Sequence, residues 1–309
     1  MTQLETSCEF VSAKSDSKLP VSVIVPVRNE AKNLPRCLLA LKDVGEVIVI
    51  DSQSSDETVE IARSHGAQVM QFHYRGGWPK KRQWAMDTLS FAHDWILLLD
   101  ADEILTPELA GEIRSAIKNP SFNAYSIQLR TKFLSRTLRH GDVGLWKTSL
   151  FRQGRAHYEC RLQDQDASMA DMEVHEHVVV QGATGKLLHP LIHHNVESLS
   201  HYIRKHDEYS NWESRVLLQR NDAQRNNSHE LPPSLTGSQA QRRRWLKRKL
   251  FAVPGSPILL FLYRYVFRCG FLDGVPGLLY AGFQAVQMFH TKAKIYELRR
   301  KSEEQQVRS

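Results

Sequence analysis

Five apolar residues, Trp95-Ile96-Leu97-Leu98-Leu99, run straight into Asp100-Ala101-Asp102-Glu103. A continuous apolar run of strand length is the mark of a parallel strand covered on both faces. Carboxylates that follow such a strand emerge at the carboxyl edge of the sheet, where open α/β folds bind ligands. Two carboxylates one residue apart can hold a hard divalent cation that bridges nucleotide phosphates, which is one way to neutralise a diphosphate leaving group.

The same arrangement occurs twice upstream. Val21 to Val25 reads as a strand stopped by Pro26, with Val27-Arg28-Asn29-Glu30 after it. Glu46 to Ile50 reads as a second, followed by Asp51-Ser52-Gln53-Ser54-Ser55-Asp56. Between them, Leu34, Leu38 and Leu41 fall at helical spacing. A helix is expected to start near Ser54–Glu57 and stop at Gly66, Ala67 to Phe72 is a third strand candidate, and Lys80 to Ala92 is expected to be helical. Thr106-Pro107-Glu108 opens another helix, with proline at its first position. Strands alternating with helices over the first 120 residues or so predict a parallel sheet with both faces covered. Further on, Ala124 to Arg130 and Trp146 to Arg152 read as strands, and Ser198 to Gln219 as an amphipathic helix.

In a parallel sheet the three acidic strand ends lie on one edge and can converge on one ligand. Any one of them alone would pass for a solvated turn; three after apolar strands favour a site. The chain carries 41 Lys and Arg against 34 Asp and Glu, a net charge of +7, which suits a polyanionic partner: phosphorylated substrate, anionic membrane surface or nucleic acid. Cys8, Cys37, Cys160 and Cys269 are far apart and form no metal or disulfide pattern, as expected in a reducing compartment. The polar residues 1–19 read as a flexible leader, 20–220 as the α/β domain, 221–241, with Pro232-Pro233, as a polar linker, and 242–309 as a basic and apolar helical region.

VSVIVPVRNEAKNLPRCL, VIVIDSQSSDET and WILLLDADE, in that order, resemble glycosyltransferase family 2, the inverting enzymes with a GT-A fold. The resemblance covers roughly residues 20–200. DADE, FRQGRAHYE, VHEH and GFLDG are most similar to bacterial enzymes of the lipopolysaccharide core β-glucosyltransferase type. It implies a GT-A fold: a Rossmann-like nucleotide-binding sheet with helices on both faces. It implies a nucleotide-sugar donor, UDP-linked as is usual in the family, and a lipid-linked or cell-surface glycan acceptor. Pro26 and Arg28 would shape the nucleoside pocket, and Glu30 and Asp51 would bind the nucleoside. Asp100 would lie near the ribose and metal, Asp102 would ligate Mg²⁺ or Mn²⁺, and Arg82 would face the diphosphate. Lys80 and Lys81 fit a solvated helix start equally well.

An inverting transfer needs a carboxylate base opposite the leaving group. Asp171-Met172-Glu173-Val174-His175-Glu176-His177 offers Glu176 first, because the family's VHE places its acid there, then Glu173 and Asp171. As a strand, this stretch would put Glu176 and Val174 on one face and Glu173, His175 and His177 on the other. His175 and His177 have strand spacing for a metal, but hydrogen-bonded structural histidines account for them better; His189, His193 and His194 stay open. Trp146, Phe151 and Arg152 are candidates for the acceptor side, with core packing an equal reading for Phe151. Gln241 to Trp245 fits the QxxRW motif of processive synthases, a cheap match in an arginine-rich run.

The segments Pro257 to Tyr265 and Leu278 to Phe289 are too short to cross a bilayer, since spanning takes about 20 residues. With the basic run Arg242 to Lys249, they suggest a peripheral helical region on the anionic inner face of the cell membrane. Trp245, Phe261, Tyr263, Phe267 and Phe271 would be its anchors; packing on the core or a dimer interface is the other reading. Two other classes compete: a nucleotidyltransferase that makes nucleotide sugars, disfavoured by PVRNE where a glycine-rich signature belongs, and a catalytically inactive scaffold. Nucleic-acid binding has only the net charge behind it, with no recognised module.

Overall fold

A computed structural model describes residues 18–166, 168–169, 171–173, 176–194, 199–222, 232–237 and 239–308. Nearly all of the expected leader, Cys8, Val174, His175 and, within the expected linker, 223–231 and 238 lie outside the described residues.

The amino-terminal half is built as the apolar runs dictate. Strands β1 (Leu19–Val27), β2 (Val44–Asp51), β3 (Gln68–Gln71) and β4 (Trp95–Leu98) are parallel, in the order β3-β2-β1-β4. Strand β1 is buried from Val21 to Val27, as a central strand covered on both faces must be. It runs through Pro26 rather than stopping there. Its pairing with β4 ends at Ile24, so no β4 partner waits for the N–H that Pro26 lacks.

Helices α1 (Leu34–Ala40), α2 (Thr58–Ser64) and α4 (Pro107–Ala116) pack through Leu34, Leu38, Ala62, Leu109 and Ile113 on the face carrying Val23, Val25 and Leu97. Thr106 caps α4 by accepting from the Leu109 N–H at 3.2 Å, with Pro107 at the first position. Helix α3 (Lys81–Thr88) covers the other face, where Ala85 meets Ile24, Ile48, Ile96 and Leu98. Burying each such aliphatic side chain contributes about 1.5–3 kcal/mol, which makes this two-faced packing the main stabilisation of the sheet.

Beyond β4 the sheet is mixed. After β5 (Glu103–Ile104) come β6 (Ala124–Phe133), β7 (Arg136–Thr137) and β8 (Leu145–Arg152). Strand β8 enters antiparallel between β4 and β6. Strands β9 (Ala156–Tyr158) and β10 (Val178–Val180) form a separate ribbon, β11 (Thr184–Lys186) pairs β6, and β12 (Leu191–His194) bridges β6 and β5. The architecture is a GT-A-like mixed sheet, of which the Rossmann-like expectation describes the parallel half.

The stretch 171–177, considered above as a strand, is irregular in its described part. Its polar groups cap a helix instead. Glu173 accepts from the Arg82 and Gln83 N–H groups at 3.1 and 2.9 Å, and the Asp171 carbonyl accepts from the Lys81 N–H at 3.1 Å. These are the first N–H groups of α3, which have no partner within the helix.

Helix α5 (Leu199–Asp222) leads away from the sheet, and α6 (Gln239–Ala252), α7 (Ser256–Leu262) and α8 (Gly274–Arg308) follow. Between α7 and α8 lie a π-helical turn, Tyr263–Phe267, and a 3₁₀ turn, Gly270–Asp273. Tyr202 of α5 joins Leu138, Val143, Leu279, Tyr280 and Phe283 around the fully buried Phe133, so part of this region packs on the core. The turn is wound tightly: a Cβ on Gly277 would stand 2.1 Å from the Gly270 carbonyl oxygen. Among the described residues no helix is long and apolar enough to cross a membrane.

Candidate active site at the strand ends

The loops after β1 and β2 are laced together. The Asn29 N–H donates to Ser54 Oγ at 2.8 Å, the Ser55 N–H to Asn29 Oδ1 at 2.8 Å, and the Glu30 N–H to Thr58 Oγ1 at 2.9 Å. Asn29 takes a left-handed φ of 55°, which asparagine tolerates better than most residues. Asp51, fully buried at the end of β2, accepts from the Ser54 N–H and from Gln71 Nε2, both at 3.0 Å. Its carboxylate is therefore held in one orientation. Pro26 is buried within β1, and Arg28 stands exposed beyond it.

After β4, Asp100 pairs with Arg82 and takes Lys147 Nζ of β8 at 3.0 Å. Burial opposes its ionisation, but Arg82 and Lys147 hold its carboxyl well below the usual carboxylate range. Glu103 accepts from the Asp100 N–H at 3.0 Å and meets Lys147 at 3.3 Å. Asp102 Oδ2 lies 3.2 Å from His193 Nε2, while the His194 N–H donates to the Asp102 carbonyl at 2.8 Å. Burial pushes the Asp102 carboxyl up, and the His193 ring and the Lys205 charge together draw it below its ordinary value. Glu30 is raised, chiefly by burial, with Lys205 pulling the other way. Lys205 itself is raised, first by Tyr209 and then, against burial, by Asp102, Glu30 and Asp100. Helix α5 thus brings an ammonium over the acidic strand ends.

The basic segment is not a solvated helix start. Lys80 and Lys81 are both fully buried. Lys81 Nζ donates to the Val27 carbonyl at 2.7 Å and stands 3.2 Å from Asp171 Oδ2. Lys80 Nζ donates to the Met172 carbonyl and stands 3.3 Å from Glu176 Oε2. Consecutive lysines therefore tie the strand end to the segment carrying the three candidate bases. Both Glu173 oxygens are used in capping α3, whereas Glu176 Oε1 has no hydrogen-bond partner among the described residues. Burial raises the Glu176 carboxyl to about 7, Lys80 lowering it only in part.

Helix α6 closes this side. Arg244 makes a two-pronged pair with the buried Glu159, and Glu159 Oε1 accepts from the His177 N–H at 3.0 Å. Arg244, dismissed in the sequence as part of an arginine-rich run, thus reaches the residue next to Glu176. Burial holds the His177 ring down to about 4, hence neutral. The other acceptor-side expectations fare differently. Phe151 is a core residue of β8, and Arg152 stacks on Trp95 at 4.7 Å, at the opposite edge of the sheet. Trp146 packs under Lys186.

Sequence reading missed Lys147, Lys205 and Gln71, and left His193 open. Lys147 was detectable as a lone lysine in a strand, and Lys205 as the polar member of Tyr202-Lys205-Tyr209, spaced along one helix face. Among the described residues no three His, Cys, Asp or Glu side chains are arranged to hold a metal; Asp102 and His193 form a pair.

Strand-end carboxylates converging with Arg82, Lys147 and Lys205 on a mixed α/β sheet form an arrangement that could take an anionic, phosphorylated ligand. The sequence pattern of glycosyl transferase family 2 matches residues 22–178, just over half of the chain, and the chain belongs to that family. It is 26% identical over 306 residues to the lipopolysaccharide core biosynthesis glycosyltransferase LpsC of Rhizobium meliloti, covering 91% of this chain and 93% of that protein. An uncharacterized glycosyltransferase of Rickettsia bellii is 37% identical over 118 residues, covering 35% of this chain and 37% of that protein. The chain spans only 26% to 39% of the first curated relatives that it matches. Among solved structures, Staphylococcus aureus TarS 1-349 in complex with UDP-GlcNAc aligns with a TM-score of 0.44 and 16% identity, covering 91% of each chain.

Proposed function

We infer that the chain catalyses an inverting transfer of a sugar from a nucleoside diphosphate donor to a lipid-linked glycan hydroxyl. The observation that carries this reading is the meeting of Glu30, Asp51, Asp100 and Asp102 on one sheet edge with Arg82, Lys147 and Lys205. Asp51, fixed by Ser54 and Gln71, accepts a hydrogen bond from the base, with uracil the simplest fit to one oriented carboxylate. Glu30 and Asp100 lie along the ribose, and Pro26 and Arg28 border the nucleoside. Arg82, Lys147 and Lys205 stabilise the charge that grows on the leaving diphosphate.

A divalent cation fits the same edge. Asp102, in the turn before β5, and His193, on β12, set one oxygen and one nitrogen donor 3.2 Å apart. Two protein ligands, with phosphate oxygens and water completing the shell, suit Mg²⁺ or Mn²⁺, and the imidazole favours Mn²⁺. When bound, the cation would neutralise diphosphate charge.

Glu176 is the base. A carboxylate whose pKa lies near neutrality, with one oxygen uncommitted, can take the acceptor proton at cellular pH, while Glu173 is occupied as a helix cap. The name of the Rhizobium relative supports a lipopolysaccharide core or similar surface glycan as acceptor. The exposed Ile258, Leu262, Val266, Phe267, Phe271, Leu272 and Val275, next to the basic α6, support peripheral docking on an anionic cytoplasmic membrane face. Of the anchors read from sequence, Phe267 is 76% exposed, whereas Phe261 is half-buried against Tyr265.

The test is a donor screen. Purified protein is titrated with UDP-, GDP-, CDP- and ADP-sugars, with and without Mn²⁺, and thermal stability and nucleoside diphosphate release are followed. The expected result is a Mn²⁺-dependent rise in melting temperature with one donor, absent in Asp102→Ala. No response to any donor would overturn the reading in favour of an inactive scaffold.

A further inference from the structure

A second concentration of positive charge lies away from the strand ends, in a cleft of about 390 Å³ lined by Arg136, Thr137, Arg139, His140, Leu272 and Asp273. The volume suits a small polar group. The Arg136 and Arg139 side chains are exposed, and their guanidiniums make no hydrogen bond or ion pair among the described residues. The wall between them is firmly built. Buried Asp273 accepts from the Arg139 and His140 N–H groups at 3.0 and 2.9 Å, and its second oxygen faces His140 Nδ1 at 3.2 Å. The one carboxylate in the cleft is thus taken up by three donors of the wall. The two guanidiniums are left as the uncompensated charge.

The cleft opens among apolar side chains. Leu272, which lines it, is 54% exposed, Phe271 precedes it, and Val275 follows at 67%. Leu134, at the tip of the β6–β7 hairpin next to Arg136, is also exposed. A free anion in water needs no such rim. A phosphate at the surface of a bilayer has hydrocarbon beneath it, and a site for it must offer both chemistries within one small area.

We propose that this cleft binds the phosphate of an anionic lipid head group, with Arg136 and Arg139 as its cationic arms and the Phe267–Val275 turn inserted beside it. The proposal rests on the membrane-docking reading above and adds a specific head-group site to it. A guanidinium pair can grip a phosphate through several parallel N–H···O bonds, which a diffuse basic face cannot do.

The experiment is flotation of the full-length protein with neutral phosphatidylcholine vesicles and with vesicles also containing phosphatidic acid. Wild type is expected to float with the phosphatidic acid vesicles. The double variant Arg136→Gln, Arg139→Gln should lose about tenfold or more of that partition. A charge-matched control, Arg299→Gln with Arg300→Gln at the far end of α8, should lose threefold at most, by about the loss expected of diffuse charge. Both pairs are exposed, and a thermal melt checks that folding is retained. Equal losses in the two double variants would overturn the head-group site and leave the membrane reading standing. Failure of wild type to float with either vesicle would remove both. Saturable binding of inorganic phosphate that needs Arg136 and Arg139, with vesicle partition unchanged in the variant, would assign the cleft to a free anion and overturn the proposal.

Discussion

At the strand ends, Asp100 has Arg82 and Lys147, Asp171 has Lys81, Glu176 has Lys80, and Glu159 has Arg244. Around the turn between α7 and α8, Arg136 and Arg139 face solvent without a carboxylate, and Phe267 has three quarters of its surface in water. The first region gives each of these buried carboxylates a cation, and holds Asp51 and Glu173 by N–H donors instead, because an unpartnered ion there would be costly. The second leaves both charge and apolar surface unmatched, which folding alone does not demand. One region is satisfied within the chain, and the other is the surface on which the proposed membrane docking rests.

The largest expected effect lies in the matched region and reaches the chemistry. Glu176→Gln keeps the shape but cannot take a proton, so the transfer rate should fall about a hundredfold to ten-thousandfold while donor-induced stabilisation persists. Wild-type kcat/KM should also fall tenfold per pH unit below about 7, where Glu176 becomes protonated. The stability effect has the opposite sense. The folded carboxyl holds its proton up to about 7, whereas the unfolded one releases it near 4.5, so Glu176 destabilises the fold increasingly as pH rises through that window. Denaturant titrations of the Gln variant should show a flatter stability profile between those values than wild type. A profile unchanged by the substitution would mean that the titrating group is elsewhere.

Next in size is Arg244→Ala. Removing one partner of the buried pair leaves Glu159 uncompensated and should destabilise the protein by about 3–5 kcal/mol, read by urea unfolding. If the loss is within about 1 kcal/mol, the typical worth of an exposed pair, then α6 is not clamped and the contrast between the regions weakens. Phe267→Ser should have the smallest effect on folding, within about 0.5 kcal/mol, because the side chain touches little. A loss of several kcal/mol would show that the turn serves the core and not a partner.

How far the site could be read from sequence follows the same division. Asp51, Asp100 and Asp102 could be recognised because each directly follows an apolar strand, and the cap and proline at Thr106-Pro107 announced α4 correctly. Lys147, His193 and Lys205 reach Asp100, Asp102 and Glu30 from segments 45 to over 100 residues away, and no local pattern encodes such a meeting. The mixed half of the sheet was hard to foresee for a different reason. Strands of two to four residues, such as β5 and β9 to β12, are too short to display a period. Segment 171–177 was considered only as it would stand in a strand, and nothing local in it signals that Glu173 caps α3. Lys80 and Lys81 looked like surface residues because burial of a lysine depends on partners that sequence does not reveal.

The close approach of Gly277 to the Gly270 carbonyl constrains how this chain can diverge. A side chain at Gly277 would collide with backbone, and loss of the Asp273 carboxylate would release the N–H groups of Arg139 and His140. Phe271, Leu272 and Val275, interleaved with these positions, can exchange for other apolar residues at little expense to folding. Descendants of this sequence should therefore preserve a sparse skeleton of small and acidic positions, while the oily residues between them drift.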